Sequence, residues 1–364
     1  MALAPTFLAV ADGSFGVITA KTAVSAIRYF PERVVGVLDS TASARTVQEA
    51  VGFGGAIPIV RTLEEGLALK PPPQALLIGI APRGGRLPPA WRGWIEQAIE
   101  RGLEIWSGLH TYLSDDPDLA ARARKRGVRI FDLRRPPEGL PVANGRARLV
   151  DALVVLTVGS DCNSGKMTAL IEIERGLRER SVGCRFVATG QTGILLAGKG
   201  IAVDAVVGDF IAGATEQMVV EAAGGADVVL VEGQGSLIHP GYSGVSLGLI
   251  HGSCPAAMIL CHQPSRKLVS EYHGASAFLP IPPLARLVHL HEQAAALVNP
   301  SRVIGIALMT YDLPEAAARD AVRRAEDETG LPATDPVRFG VAPLVEAIAA
   351  AAAARHAARA KAPA

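Results

Sequence analysis

The stretch Leu153–Leu170, LVVLTVGSDCNSGKMTAL, constrains this chain more than any other. A short apolar, β-branched run from Leu153 to Val158 enters a loop bounded by Gly159 and Gly165, and an amphipathic helix follows from about Met167 to Arg180. Strand, glycine-bounded loop, Gly-Lys and helix form the arrangement of a phosphate-binding P-loop. The amides of Asp161, Cys162, Asn163, Ser164 and Gly165 would point inward there, and the helix N-terminus adds partial positive charge, so that together they make a nest for phosphate oxygens. Lys166 supplies a full positive charge. Two departures matter. Five residues separate Gly159 from Gly165, one more than in the common form, and Met167 stands where an NTPase places the hydroxyl that holds Mg²⁺. Thr168 follows, but one residue along a helix swings a side chain by about 100°. The loop suits a phosphate grip better than magnesium-assisted phosphoryl transfer.

A strand-loop-helix unit of this kind needs a parallel sheet around it, and 364 residues are enough for two such domains. With 49% apolar and 20% charged residues the composition is that of a soluble globular protein, and a net charge of +1 gives no reason to expect nucleic acid or a membrane surface as partner. No apolar run reaches the ~18 residues that span a bilayer. The first residues, MALAPTFLAVADGSFG, lack a basic region and run straight into a strand pattern, unlike a signal peptide. Cys162, Cys184, Cys254 and Cys261 show no C-x-x-C pair and no disulfide-type spacing, which fits free thiols in a reducing cytoplasm.

Along residues 1–135 short apolar strands alternate with helical patterns, as in a Rossmann-like domain. Strands are expected at Thr6–Ala11, Val34–Asp39, Ile57–Val60, Ala75–Ile80, Leu103–Trp106 and Arg129–Phe131. The first loop, Asp12-Gly13-Ser14-Phe15-Gly16, is not G-x-G-x-x-G, so a nicotinamide cofactor has little support even with Asp39 ending the second strand. Arg83 and Arg86 in a glycine-rich turn could clamp a carboxylate, or lie solvated. Residues 136–148 read as a proline- and glycine-rich linker, and 149–364 as a P-loop NTPase-like domain ending in an alanine-rich helix. In that domain strands are expected at Cys184–Ala188, Asp227–Val231, Ala256–Cys261, Arg302–Met309 and Val337–Gly340.

Strand ends of a parallel sheet converge on one edge, and several here carry reactive groups. Glu232 follows Val228–Val231 where a P-loop protein has its acidic second motif; it could hold a metal-bound water, accept a proton from an amine, or merely cap a turn. Gln234 and Ser236 share its glycine-spaced turn and could orient a substrate. Thr189, Gln191 and the backbone at Gly193 could stabilise an oxyanion. Cys162, beside a helix N-terminus and Lys166, is a nucleophile or simply a small residue in a tight turn. His239 reads as an incidental loop histidine. No His/Cys cluster has metal-site spacing, so no metal is expected.

Gly159-Ser160-Asp161-Cys162-Asn163-Ser164-Gly165-Lys166-Met167-Thr168 resembles the loop of a two-domain bacterial and archaeal P-loop family that carries a Rossmann-like N-terminal domain. Phe186-Val187-Ala188-Thr189-Gly190-Gln191-Thr192-Gly193, Val231-Glu232-Gly233-Gln234-Gly235-Ser236-Leu237-Ile238-His239-Pro240 and Ser107-Gly108-Leu109-His110 also match. The family looks like the one that includes D-glutamate N-acetyltransferase. The resemblance implies an acetyl-CoA-dependent enzyme acting on a small acidic D-amino acid. Gly159 to Thr168 would hold coenzyme A phosphates, Glu232 would be the base, Thr189 and Gln191 would stabilise the oxyanion, and Arg83, Arg86 and Arg266 would meet substrate carboxylates. The loop spacing is also similar to that of dethiobiotin synthetase, so a Mg-ATP-dependent kinase or ligase is an alternative, as is a nucleotide-binding module without turnover. A homo-oligomer is the usual state of such enzymes.

Overall fold

Apolar runs of four to seven residues are too short for helices of their own, and they pair instead into two parallel sheets of six strands each. The computed structural model describes residues 5–80, 87–269 and 279–360. It divides into one unit made of residues up to Pro136 with Ile194–Ala205, and a second made of Pro137–Gly193 and Val206 onward.

In the first unit strands β1 (Phe7–Val10), β2 (Val34–Leu38), β3 (Ile59–Val60), β4 (Ala75–Ile78), β5 (Glu104–Ser107) and β6 (Ile130–Asp132) lie in the order β3-β2-β1-β4-β5-β6. This doubly wound order is Rossmann-like. Helices α1 (Lys21–Tyr29), α2 (Val47–Val51), α3 (Leu63–Leu67), α4 (Pro89–Glu100) and α5 (Pro117–Arg126) provide the connections. Phe7, Leu8, Ile27, Leu76, Leu77, Ile95 and Ile105 fill the core. Thr46 and Thr62 cap α2 and α3 by accepting from the amides of Glu49 and Glu65. The Asp39 carboxylate accepts from the Gly13 amide and from Thr41, so it braces the first loop. Residues 194–205, assigned by the sequence pattern to the second domain, pack with this unit. Leu195 joins its core, and Asp204 pairs at 2.6 Å with Arg134, a buried guanidinium that requires a counter-charge.

The second unit is built on β7 (Leu153–Gly159), buried along all seven residues and flanked on both sides. With β8 (Cys184–Val187), β9 (Val228–Val231), β10 (Ala257–His262), β11 (Arg302–Leu308) and β12 (Ala333–Thr334) it forms the order β12-β11-β10-β7-β9-β8. Helices are α6 (Lys166–Glu179), the start of α7 (Gln191–Ala197, whose residues from Ile194 on belong to the first unit), α8 (Gly208–Ala223), α9 (Ser243–Ser253), α10 (Leu284–Ala296), α11 (Glu315–Thr329) and α12 (Ala342–Ala360). The short edge strand is Ala333–Thr334 rather than Val337–Gly340, because Ala333 and Thr334 pair with Ile306 and Ala307 of β11 while Asp335 turns the chain away. The segment before β7 is tied down by Glu216 of α8, a fully buried carboxylate that accepts from the amides of Asn144 and Arg146 and from the Arg146 guanidinium at 3.0 Å. Burial alone would raise its pKa; those donors outweigh it and hold the carboxyl below its usual range. Among the described residues no helix is long and apolar enough to cross a membrane.

Candidate phosphate-binding and catalytic site

The site lies where β7, β8, β9 and β10 end on one edge of the second sheet. After Gly159 the chain turns through Asn163 in the left-handed region (φ 51°) and Gly165 (φ 90°), then starts α6 at Lys166. Side chains donate to three successive carbonyls of the loop, those of Asp161, Cys162 and Asn163. Lys166 Nζ donates to the Asp161 carbonyl at 2.8 Å and the Ser164 hydroxyl to the same oxygen at 3.0 Å. The Arg266 guanidinium donates to the Cys162 carbonyl at 2.6 Å and to that of Asn163 at 3.4 Å. The carbonyls of residues 161 to 163 thus have side-chain donors, and the Cys162 amide donates to the Asp161 carboxylate at 2.7 Å. Gly159 is dictated by space: a Cβ there would sit 2.8 Å from Lys166 Nζ and 2.6 Å from the Ser164 hydroxyl.

Arg266 is therefore placed differently from its reading as a substrate clamp. It is buried, pairs with the buried Asp161 carboxylate at 2.9 Å, and donates to Gln263 as well. Its planar fork of donors is spent on shaping the P-loop. Arg83 and Arg86, the other two arginines read as carboxylate ligands, lie outside the described residues. Met167 is buried (2% exposed) in the first turn of α6, with Thr168 half-buried beside it.

Glu232 ends β9 with its carboxylate buried and aimed at the β8–α7 turn. Its Oε2 accepts from the Thr189 amide at 2.9 Å and the Gly190 amide at 3.2 Å, while the Thr189 hydroxyl donates to the Glu232 carbonyl at 2.6 Å. Both Thr189 donors are engaged by Glu232, the amide by its carboxylate and the hydroxyl by its backbone carbonyl. Gln234 Nε2 lies 3.3 Å from Glu232 Oε1 and 3.4 Å from the Thr189 hydroxyl, and the buried Ser236 hydroxyl accepts from the Ile238 amide. These two side chains, read as substrate ligands, brace the turn. Gln191 is the first residue of α7. The glycines record the tightness: a Cβ at Gly193 would meet Glu232 Oε2 at 2.2 Å, and one at Gly233 the Thr157 carbonyl oxygen at 1.7 Å. The Gly233 amide donates to the Thr157 hydroxyl, joining β9 to β7 beside Lys166.

In space, unlike in sequence, a group with metal-ligand chemistry does form. Asp161, Cys162 and His239 bring ligand atoms within 4.8 Å of one another. Its hydrogen bonds oppose a metal. Asp161 is committed to Arg266 and the Cys162 amide. His239 Nδ1 accepts from the Gly241 amide at 3.0 Å, which leaves the ring proton of a neutral imidazole on Nε2. His239, read from the sequence as an incidental loop histidine, lies beside Asp161 and Cys162 in the fold. His262 Nδ1 lies 2.9 Å from the Ser160 hydroxyl at the root of the loop, its pKa pushed down to about 4, mainly by burial.

Fold and site together define a P-loop protein with a Rossmann-like domain, in which the buried Met167 follows the loop's Lys166. The chain belongs to the DUF1611 family. A family model described as the DUF1611_C P-loop domain of unknown function matches residues 141–345, and one described as the DUF1611_N Rossmann-like domain of unknown function matches residues 40–136. The chain is 36% identical over 335 residues to a protein named D-glutamate N-acetyltransferase from Tritonibacter scottomollicae, covering 92% of this chain and 95% of that one. It is also 36% identical over 273 residues to one of the same name from a Pseudoalteromonas species, covering 75% and 80%. A crystal structure of a DUF1611 family protein from Anabaena variabilis superposes with a TM-score of 0.87 at 38% identity, covering 95% of this chain and 99% of that one.

Proposed function

We propose that this chain transfers an acetyl group from acetyl-CoA to the amino nitrogen of a small acidic D-amino acid, D-glutamate foremost. The observation that most supports this is the nest, in which Lys166 and the start of α6 supply the positive charge while Met167, apolar and buried, fills the position of the magnesium-binding hydroxyl. Coenzyme A phosphates call for amides and an ammonium group rather than a hydroxyl-held ion. The relatives named D-glutamate N-acetyltransferase support the choice of substrate.

When bound, acetyl-CoA supplies an activated acyl carbon. The chain's own groups do the rest. Loop amides other than that of Cys162, which the Asp161 carboxylate holds, are offered to the phosphates, and Lys166 exchanges its carbonyl partner, Asp161, for an anion. Asp161 is neutralised by Arg266, which makes Glu232 the buried carboxylate at this edge suited to take a proton from the substrate amine. Thr189, Gly190 and Gln234 hold its orientation.

The experiment is release of coenzyme A thiol from acetyl-CoA, measured with purified protein across a panel of D- and L-amino acids. Release with D-glutamate exceeding that with L-glutamate and with neutral amino acids is the expected result. Folded protein that releases no thiol with any amine, or that forms ADP from Mg-ATP in a Lys166-dependent way, would sink the proposal.

A further inference from the structure

The acetyl-transfer scheme leaves the base end of its nucleotide cofactor unheld, and the turn after β11 is built to meet it. In Thr310-Tyr311-Asp312-Leu313 the Leu313 amide donates to the Thr310 carbonyl at 3.0 Å, which puts Tyr311 and Asp312 at the two central positions of a β-turn. An exposed turn needs little to hold it, yet two side chains clamp this one. The buried Thr310 donates its amide and its hydroxyl to the buried Asp335 carboxylate at 2.9 and 2.6 Å. The Arg338 guanidinium donates to the carbonyls of Thr310 and Leu313 at 2.7 and 2.8 Å. What the clamp presents is a tyrosine, 47% exposed, with a carboxylate beside it. Asp312 accepts on Oδ2, from Gln263 Nε2 at 2.9 Å and from the Ser265 hydroxyl at 2.5 Å, which leaves Oδ1 without a donor among the described residues.

Two routes join this turn to the P-loop. Met309, the residue before it, packs on the loop's last glycine: a Cβ at Gly165 would lie 3.6 Å from Met309 Cβ. On the other side Gln263 accepts from Arg266, whose guanidinium also donates to the Cys162 and Asn163 carbonyls. Burial and Asp312 push the Tyr311 phenol up in pKa while Gln263 and Arg266 pull it down, so the ring leans toward these side chains and the loop. β11 is the second strand from β7, and with neighbouring strands about 4.8 Å apart the two strand ends are separated by about 10 Å. A nucleotide covers such a span between its phosphates and the far edge of its base.

We propose that Tyr311 and Asp312 form the base subsite of the P-loop, with an adenine ring stacked on Tyr311 and its exocyclic amine donating to Asp312 Oδ1. This rests on the reading of the loop as a phosphate site, and it names the adenine end of coenzyme A as the part that the turn takes. An aromatic face stacks any base. The carboxylate oxygen is selective: it attracts the amine of adenine and repels the carbonyl that hypoxanthine carries at the same position.

Calorimetric titration of the full chain with inorganic pyrophosphate, ADP, IDP and coenzyme A, without divalent ions, tests this. The wild type should prefer ADP to IDP by about tenfold. Tyr311→Ala should weaken ADP and coenzyme A by about tenfold or more relative to pyrophosphate, and Tyr311→Phe should not. In Asp312→Asn the amide oxygen still accepts from Gln263 and Ser265 while the NH₂ turns outward, so the preference for ADP over IDP should vanish or reverse. Equal affinity of the wild type for ADP and IDP, or ratios that neither Tyr311→Ala nor Asp312→Asn moves, would overturn the proposal. Saturation-transfer NMR of the wild type with ADP needs no variant: the adenine protons should be saturated more than those of the ribose, and the reverse would refute a stacked base. Pyrophosphate binding with ADP binding no better removes the base subsite alone. A wild type that binds none of the four removes the phosphate reading and the subsite with it. A preference for ADP in protein that releases no thiol supports the subsite and sinks the acetyl-transfer reading.

Discussion

At the residue scale, the site turns on Arg266, whose charge is spent inside the protein. A substrate clamp and a loop positioner make opposite predictions for Arg266→Ala. Removing the positioner leaves Asp161 buried without its cation and the carbonyls of Cys162 and Asn163 without donors. Stability should fall by about 3 kcal/mol or more, and coenzyme A affinity should drop with it. A raised KM for the amino acid with unchanged coenzyme A affinity would restore the clamp. Cys162 supports a second prediction. It is the half-buried one of four free cysteines, and the other three thiols are pushed up in pKa, chiefly by burial, Cys261 to about 12. Brief iodoacetamide treatment of native protein should alkylate Cys162 alone, and coenzyme A should protect it; peptide mass mapping reads both. The strand, the glycine-bounded loop and the helix were legible in the sequence, since a Gly-Lys entering a helix after an apolar strand announces that local fold. The placement of Arg266 and His239 was not, because they lie 105 and 78 residues from Asp161 in sequence and reach the loop only through the tertiary fold, which no local pattern encodes.

At the element scale, the parallel strands follow from short apolar runs, and the regular helices from caps such as Thr46, Thr62 and Asp116. Helix α9 escapes such reading. Its sequence, SGVSLGLIHGS, is too rich in glycine and serine to look helical, and tertiary packing overrides propensity. Gly248 and Gly252 are what let it approach α8: a Cβ at Gly252 would lie 2.2 Å from the Ala212 carbonyl oxygen, and one at Gly248 would lie 2.4 Å from Ile211. Gly244, in the same helix, faces open space. Two alanine substitutions should then move stability in opposite directions. Gly252→Ala should cost about 1–3 kcal/mol by overpacking, and Gly244→Ala should gain up to about 1 kcal/mol from helix propensity. Urea unfolding of the two variants measures this, and losses of equal size would refute close α8–α9 packing as the reason for the glycines.

At the scale of the whole molecule, the two units differ in how acid reaches them. His110 is the one histidine of the first unit, and it is exposed. The second unit contains His262 and His291, both held neutral with pKa values pushed down to about 4, mainly by burial. The unfolded chain takes up a proton at its ordinary histidine pKa near 6.5, whereas the folded unit refuses it until about 4. The stability contributed by the neutral ring is therefore complete above about 6.5 and is lost as pH falls toward 4. For His291, 1% exposed, that loss is about 3 kcal/mol. In the first unit the corresponding group is Asp116, held down to about 2 by Arg92 and by the amides at the start of α5, so its contribution persists until well below pH 4. Trp91, Trp94 and Trp106 all belong to the first unit, which gives that unit its own probe. Between pH 6 and 4, thermal or urea unfolding followed by far-ultraviolet circular dichroism should begin earlier than unfolding followed by tryptophan fluorescence. His291→Leu should narrow the gap by removing the proton uptake. Coincident curves at every pH would show instead that the two units unfold as one, and that buried histidines set the acid limit of the entire chain.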